Sequence, residues 1–217
     1  MSSHQHDNHC PSCQSRRQFL GSGLILGLGL MLPSMSNAGS FKQFTGDILV
    51  NGRKATSRTR IHAGSLITTS ANSSTSFVIG NNAFMMHPNS QVKFTPQGSS
   101  RVSISTLRLI TGGLLSVFGP GPKKLITATA TIGIRGTGVY MEAQEASSYV
   151  CLCYGKVDLS ANISVDKTEE LEAQHHKGKN IGKDGLITDA GMANHTDDEL
   201  VMLEDLVGRK VPFKFPF

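Results

Sequence analysis

"SYVCLCYGKVDLSA", residues Ser148 to Ala161, reads as a β-strand interrupted once by glycine. Alternate side chains of a strand share a face, so Cys151 and Cys153 point the same way. Val157 and Leu159 have the same parity and read as buried, unless Gly155 resets the alternation. Three readings of the cysteines stay open: small core residues, a disulfide, or half of a metal site. Geometry resists the disulfide. Residues i and i+2 of a strand have Cα atoms about 6.6 Å apart with parallel side chains, whereas a disulfide brings Cβ atoms to about 3.8 Å. A bridge would force a kink at Leu152.

The compartment decides which chemistry those thiols meet. "SRRQFL" (Ser15 to Leu20) leads into "GSGLILGLGLML" (Gly21 to Leu32), then Pro33 and "SNA" (Ser36 to Ala38). A basic segment, a short apolar run and a small-residue cleavage site form a secretory leader. The run is short of the roughly 20 apolar residues a spanning helix needs. Arg16 and Arg17, followed by Phe19 and Leu20, resemble the twin-arginine export signal, with Gly21 where that pattern often carries Lys. The expected location is periplasmic, with cleavage after Ala38; a retained anchor or an ordinary secretory signal are the alternatives. The resemblance implies export of an already folded chain, often with a cofactor loaded beforehand. Upstream, "HQHDNHCPSC" (His4 to Cys13) has spacing suited to a soft metal, but it would leave with the leader.

Of 217 residues, 21 are Lys or Arg and 16 Asp or Glu, a formal net charge of +5. Losing residues 1–38 removes Arg16, Arg17 and Asp7 and leaves a mild positive charge. The basic residues are scattered, with no run longer than the two of Lys123-Lys124, so no nucleic-acid stripe stands out. Gly and turn residues are plentiful and Trp is absent, which favours β-structure with tight turns.

Short strands are expected near Ile48–Val50, Leu66–Thr68, Ser76–Ile79, Ala83–Met86 and Gln91–Phe94. Asn51-Gly52 is a hairpin turn. "STLRLITGGLLSVF" reads as two strands around Gly112-Gly113, "GPGPKK" as a loop, and "KLITATATIGIRG" as an alternating strand. Two glycine-led segments, from Ala63 and from Gly112, repeat loosely: short strand, loop, returning strand. That pattern points to an all-β fold of stacked β-arches, or a short solenoid-like roll or sandwich. One helix is expected near Asp197–Val207. Thr196 and Glu199 form a capping box, Leu200, Leu203, Leu206 and Val207 share a face, and Gly208 ends it. The tail "VPFKFPF" is expected to dock its phenylalanines on the β-body. The boundaries read as a leader over 1–38, a β domain over 39–165 and a C-terminal extension over 166–217.

From about Gly46 to Ala161 the chain resembles the FecR-type domain, named for iron-citrate transport regulators. The resemblance rests on "AGSLITT" (Ala63 to Thr69), "LRLITGGL" (Leu107 to Leu114), "TATIGIRGTGVYME" (Thr129 to Glu142) and "YVCLCYGKVDLSA". It implies an exported all-β domain used for sensing, binding or scaffolding, with an envelope protein or cell-wall component as partner. The leader is shorter than the family's anti-sigma segment, so that role is not carried over. "GIRGTG" itself reads as backbone geometry, with Arg135 pinning a turn.

His175, His176 and His195 lie downstream of the cysteines. "LEAQHHKGKNI" reads as a strand or strand end, where adjacent histidines face opposite ways and one meets Cys151 and Cys153. Two thiolates and two imidazoles suit zinc or copper, and iron less well. Met192 is a further soft donor. The plain alternative is small core cysteines and surface histidines. No nucleophile elbow, His-Glu-x-x-His motif or phosphate loop is present, so an enzyme is the weaker expectation. Two functions remain: an envelope binding or sensing domain, or a metal-binding or redox protein on the same scaffold.

Overall fold

The computed structural model describes residues 39–164 and 167–214. Residues 1–38, on which the expected signal and cleavage site fall, lie outside the described residues, as do Phe215 and Phe217 of the tail. The chain is all-β with one short C-terminal helix, the class expected from its alternation and turns.

The strands are β1 Ser40–Thr45, β2 Ile48–Val50, β3 Arg53–Lys54, β4 Leu66–Thr69, β5 Ser74–Ile79, β6 Asn82–Met86, β7 Gln91–Pro96 and β8 Ile104–Val117. Then come β9 Lys123–Ile126, β10 Ala130–Ile134, β11 Gly138–Ala143, β12 Ser147–Ala161, β13 Thr168–Ala173, β14 Lys177–Gly182, β15 Ile187–Ala190 and the helix α1 Asp197–Leu206. They form two layers. One runs β1-β5-β6-β8-β11-β12-β14-β15. The other runs β3-β2-β4-β7-β8-β9-β10-β12-β13. Pairing is antiparallel except between β8 and β9. The links β1–β2, β4–β5, β6–β7, β10–β11 and β13–β14 each pass from one layer to the other, which makes them arches. The β2–β3 hairpin turns at Asn51 (φ 52) and Gly52 (φ 77), as the Asn-Gly pair requires.

β8 and β12 belong to both layers, and each bends at a glycine. Gly112 has φ +80 and a Cβ there would lie 2.6 Å from the Ser90 Cα. Gly155 has φ +96 and a Cβ would lie 2.7 Å from the Thr137 Cγ2. Only glycine accepts both demands cheaply. Two expectations are corrected. "STLRLITGGLLSVF" is one 14-residue strand rather than two, because the ladder passes through Gly112 to a new partner. "KLITATATIGIRG" is in turn a hairpin, β9 to β10. Its corner is closed by Thr127, whose N–H donates to the Ala130 carbonyl at 2.9 Å and whose hydroxyl accepts from the Ala130 N–H at 3.0 Å.

The second consequence is parity. In β12, Val150 and Leu152 enter the main core, and so do Val157, Leu159 and Ala161 beyond the bend. An odd step separates the two sets, so Gly155 does reset the alternation. Cys151 and Cys153 therefore do not share a face with Val157 and Leu159. They lie with Tyr149 on the outer face of the first layer, in a separate apolar cluster with Leu115, Val117, Tyr140, Leu200 and Leu203.

Helix α1 covers that face. Thr196 accepts from the Glu199 N–H at 3.3 Å, and Glu199 accepts from the Thr196 N–H at 2.8 Å, the expected capping box. Gly208 (φ 69) follows the helix. Leu200 and Leu203 are fully buried, each contributing about 1.5–3 kcal/mol by burial. No helix among the described residues is long and apolar enough to cross a membrane.

Candidate metal centre

Three chain segments converge under the N-terminus of α1. β12 supplies Cys151 and Cys153, both fully buried and unbridged. The connection between β13 and β14 supplies His175 and His176. It is a turn rather than a strand, because His176 has φ 45. The His176 N–H donates to the Cys153 carbonyl at 3.0 Å and fixes the turn to β12. His195, 6% exposed, sits just before the N-cap. Its approach is held by Tyr149, whose hydroxyl donates to the Gly191 carbonyl at 2.7 Å and accepts from the Ala193 N–H at 3.1 Å.

Cys151 Sγ lies 3.6 Å from His176 Nδ1, Cys153 Sγ 3.4 Å from His195 Nε2, and the two ring nitrogens 3.2 Å apart. One donor atom from each of the four residues lies within 4.8 Å of every other. Metal–N bonds of about 2.0–2.1 Å and metal–S bonds of about 2.3 Å give tetrahedral N–N and N–S edges of about 3.3–3.4 and about 3.5–3.6 Å. The three distances above are close to those edges.

The outer contacts orient the rings. His195 Nδ1 donates to the Ala193 carbonyl at 2.7 Å, so its proton is on Nδ1. His176 Nε2 donates to Asp197 Oδ1 at 2.8 Å. In their neutral forms both rings then turn bare nitrogens toward each other, and repulsion at 3.2 Å needs a proton or a cation between them. Tyr140 stacks on His195, centroids 4.6 Å apart at 17°, and its hydroxyl donates to Glu142 at 2.7 Å.

The thiols are unequal. Cys151 is held far below the ordinary thiol range, first by the hydrogen bond from Cys153 and then by His176 and His195, against burial. Cys153 is pushed up, first by burial and then by the neighbouring Cys151. Burial opposes charge on His176, but hydrogen bonds to Cys151 and Asp197 outweigh it and raise its pKa.

Of the histidines named from sequence, His176 and His195 meet the cysteines. His175 stands outside, its side chain 40% exposed, with Nε2 2.9 Å from Asp197 Oδ2. Met192 is 44% exposed and lines a surface hollow with Tyr149 and Asn180. Phe213 packs its ring 4.5 Å from that of His175. Asp197, read from sequence as a helix-start charge, proves to bind both adjacent histidines. Nothing in its local sequence signals this, because the partners lie in a turn it meets only in three dimensions. Arg135 finds no hydrogen bond or ion pair among the described residues, which corrects its expected role in pinning a turn.

No protein-family model and no curated protein matches the chain. Two crystal structures of a proposed anti-sigma factor from Parabacteroides distasonis ATCC 8503 share part of its chain path, at 11% sequence identity and a TM-score of 0.49. The match covers 64% of this chain and spans 64% of the length of those.

Proposed function

We propose that this protein is an exported all-β module that holds one transition-metal ion through Cys151, Cys153, His176 and His195. The observation that carries the reading is the pair of ring nitrogens that face each other at 3.2 Å, each ring fixed by a hydrogen bond on its far side. A carbonyl or carboxylate behind a ligating imidazole is the usual outer support of a metal site. Zinc or copper suits two thiolates and two imidazoles, and iron less well. Four protein donors, three of them buried, leave no open position, so the ion has a structural or electron-transfer role rather than that of a Lewis acid. It ties the β13–β14 turn and α1 to β12. Arg16 and Arg17 direct the folded chain out of the cytoplasm, where the ion shields the thiols from oxidation. The resemblance of residues 46–161 to the FecR-type domain fits a module that binds or senses in the envelope.

The test is elemental analysis of untagged protein purified without chelator, beside Cys153→Ser and His195→Ala. One equivalent of zinc or copper in the parent and loss in both variants is expected. Cobalt substitution should give sulfur-to-metal charge-transfer bands. A metal-free parent that takes up no cobalt would reduce the cluster to core packing.

A further inference from the structure

Beside α1 lies a hollow of about 1050 Å³ that the metal reading does not use. Phe118, Tyr154 and Phe213 supply its apolar wall, with the Tyr154 and Phe213 rings 6.1 Å apart. Arg135, Lys210 and Lys214 also line it; all three are exposed, and none has a hydrogen bond or ion pair among the described residues. Arg209 is the fourth cation. Its Nε donates to Glu204 at 2.6 Å and its Nη1 to the Asn81 carbonyl at 2.9 Å, which leaves Nη2 buried without an acceptor. Glu204, the one carboxylate in the lining, is already taken by Arg209 and by the Tyr154 hydroxyl. The hollow therefore joins an aromatic wall, its Tyr154 and Phe213 rings tilted at 54°, to three exposed cations without an ion-pair partner among the described residues, over a buried guanidinium nitrogen that lacks an acceptor.

We propose that this hollow binds an organic anion with a flat apolar body, of the class of aromatic carboxylates and sulfonates. The aromatic wall takes the body, and Arg135 and Lys210 take the charge. An inorganic anion would leave the apolar wall unused, and a neutral aromatic would leave the charges unpaired. The proposal also gives "GIRGTG" a task beyond backbone geometry. Gly136, with φ +88, makes the turn that sets Arg135 beside the hollow.

The probe is anilinonaphthalene sulfonate, titrated by fluorescence into the full exported protein and compared with uncharged phenylnaphthylamine. One saturable site is expected, with the neutral probe at least about tenfold weaker. Arg135→Ala should weaken the anion by about tenfold, and Arg135→Ala with Lys210→Ala by more. Melting temperature and metal content should stay unchanged, since both residues are exposed and neither is hydrogen-bonded or ion-paired to the Cys/His cluster. Equal binding of the two probes, or anion binding indifferent to both substitutions, would overturn the proposal. So would binding seen only after truncation behind Lys214, which would assign the hollow to the chain's own end.

Discussion

Cys153 and His195 stand 42 positions apart in the chain and 3.4 Å apart in space, sulfur to Nε2. The contact joins the middle of the β-body to the residue that precedes the helix cap. Chemistry at the sulfur and docking of the helix are thus one structural question.

Asp197→Ala should weaken metal binding about 10–100-fold, the usual cost of removing a partner behind a ligating histidine. Thr196 and Glu199 keep the capping box, so the helix should persist. Chelator competition measures the affinity and circular dichroism the helix. An unchanged affinity would mean that Asp197 serves only the helix start.

Metal uptake should release about two protons per ion near neutral pH. Coordination requires Cys153 as thiolate and His176 with a bare Nδ1. Both hold their protons above the ordinary range, so both must lose them, while Cys151 is already ionised. The sign follows: affinity rises with pH and falls as the site is acidified. Calorimetry in two buffers of different ionisation heat counts the protons, and a buffer-independent heat would refute the assignment.

Leu203→Ala should cost about 2–4 kcal/mol in denaturant unfolding, because Leu203 is fully buried against the outer face of the first layer. The same variant should lose metal more readily, since α1 carries Asp197 and follows His195. Loss of stability with no change in metal retention would separate the helix from the site.

Gly155→Ala places a Cβ 2.7 Å from Thr137 Cγ2 at φ +96, a combination that should destabilise by about 1–3 kcal/mol. Gly52→Ala is the comparison: it has φ +77 but nothing within 4 Å, so only backbone strain remains and the loss should be smaller. Equal melting temperatures for the two variants would contradict the close approach.

Arg16→Lys with Arg17→Lys should leave the precursor in the cytoplasm, measured by fractionation and immunoblotting. Normal periplasmic accumulation of the double variant would rule out twin-arginine export.

Local chemistry in the sequence determined a good deal by itself. Asn51-Gly52 dictated its hairpin, because left-handed φ at successive residues suits few other pairs. Thr196 and Glu199 dictated where the helix begins, since a capping box satisfies its donors within one turn. Alternation dictated that Cys151 and Cys153 share a face, and residue type limited the partners to a few histidines. The tertiary structure decided which face it was. The bend at Gly155 makes Val157 and Leu159 inward-facing and Cys151 and Cys153 outward-facing, and a bend depends on strands paired from elsewhere in the chain. It also selected His176 over His175 and turned Asp197 toward both. Those choices depend on a turn, a strand and a helix start that meet only after the two layers close, so no window of neighbouring residues contains them.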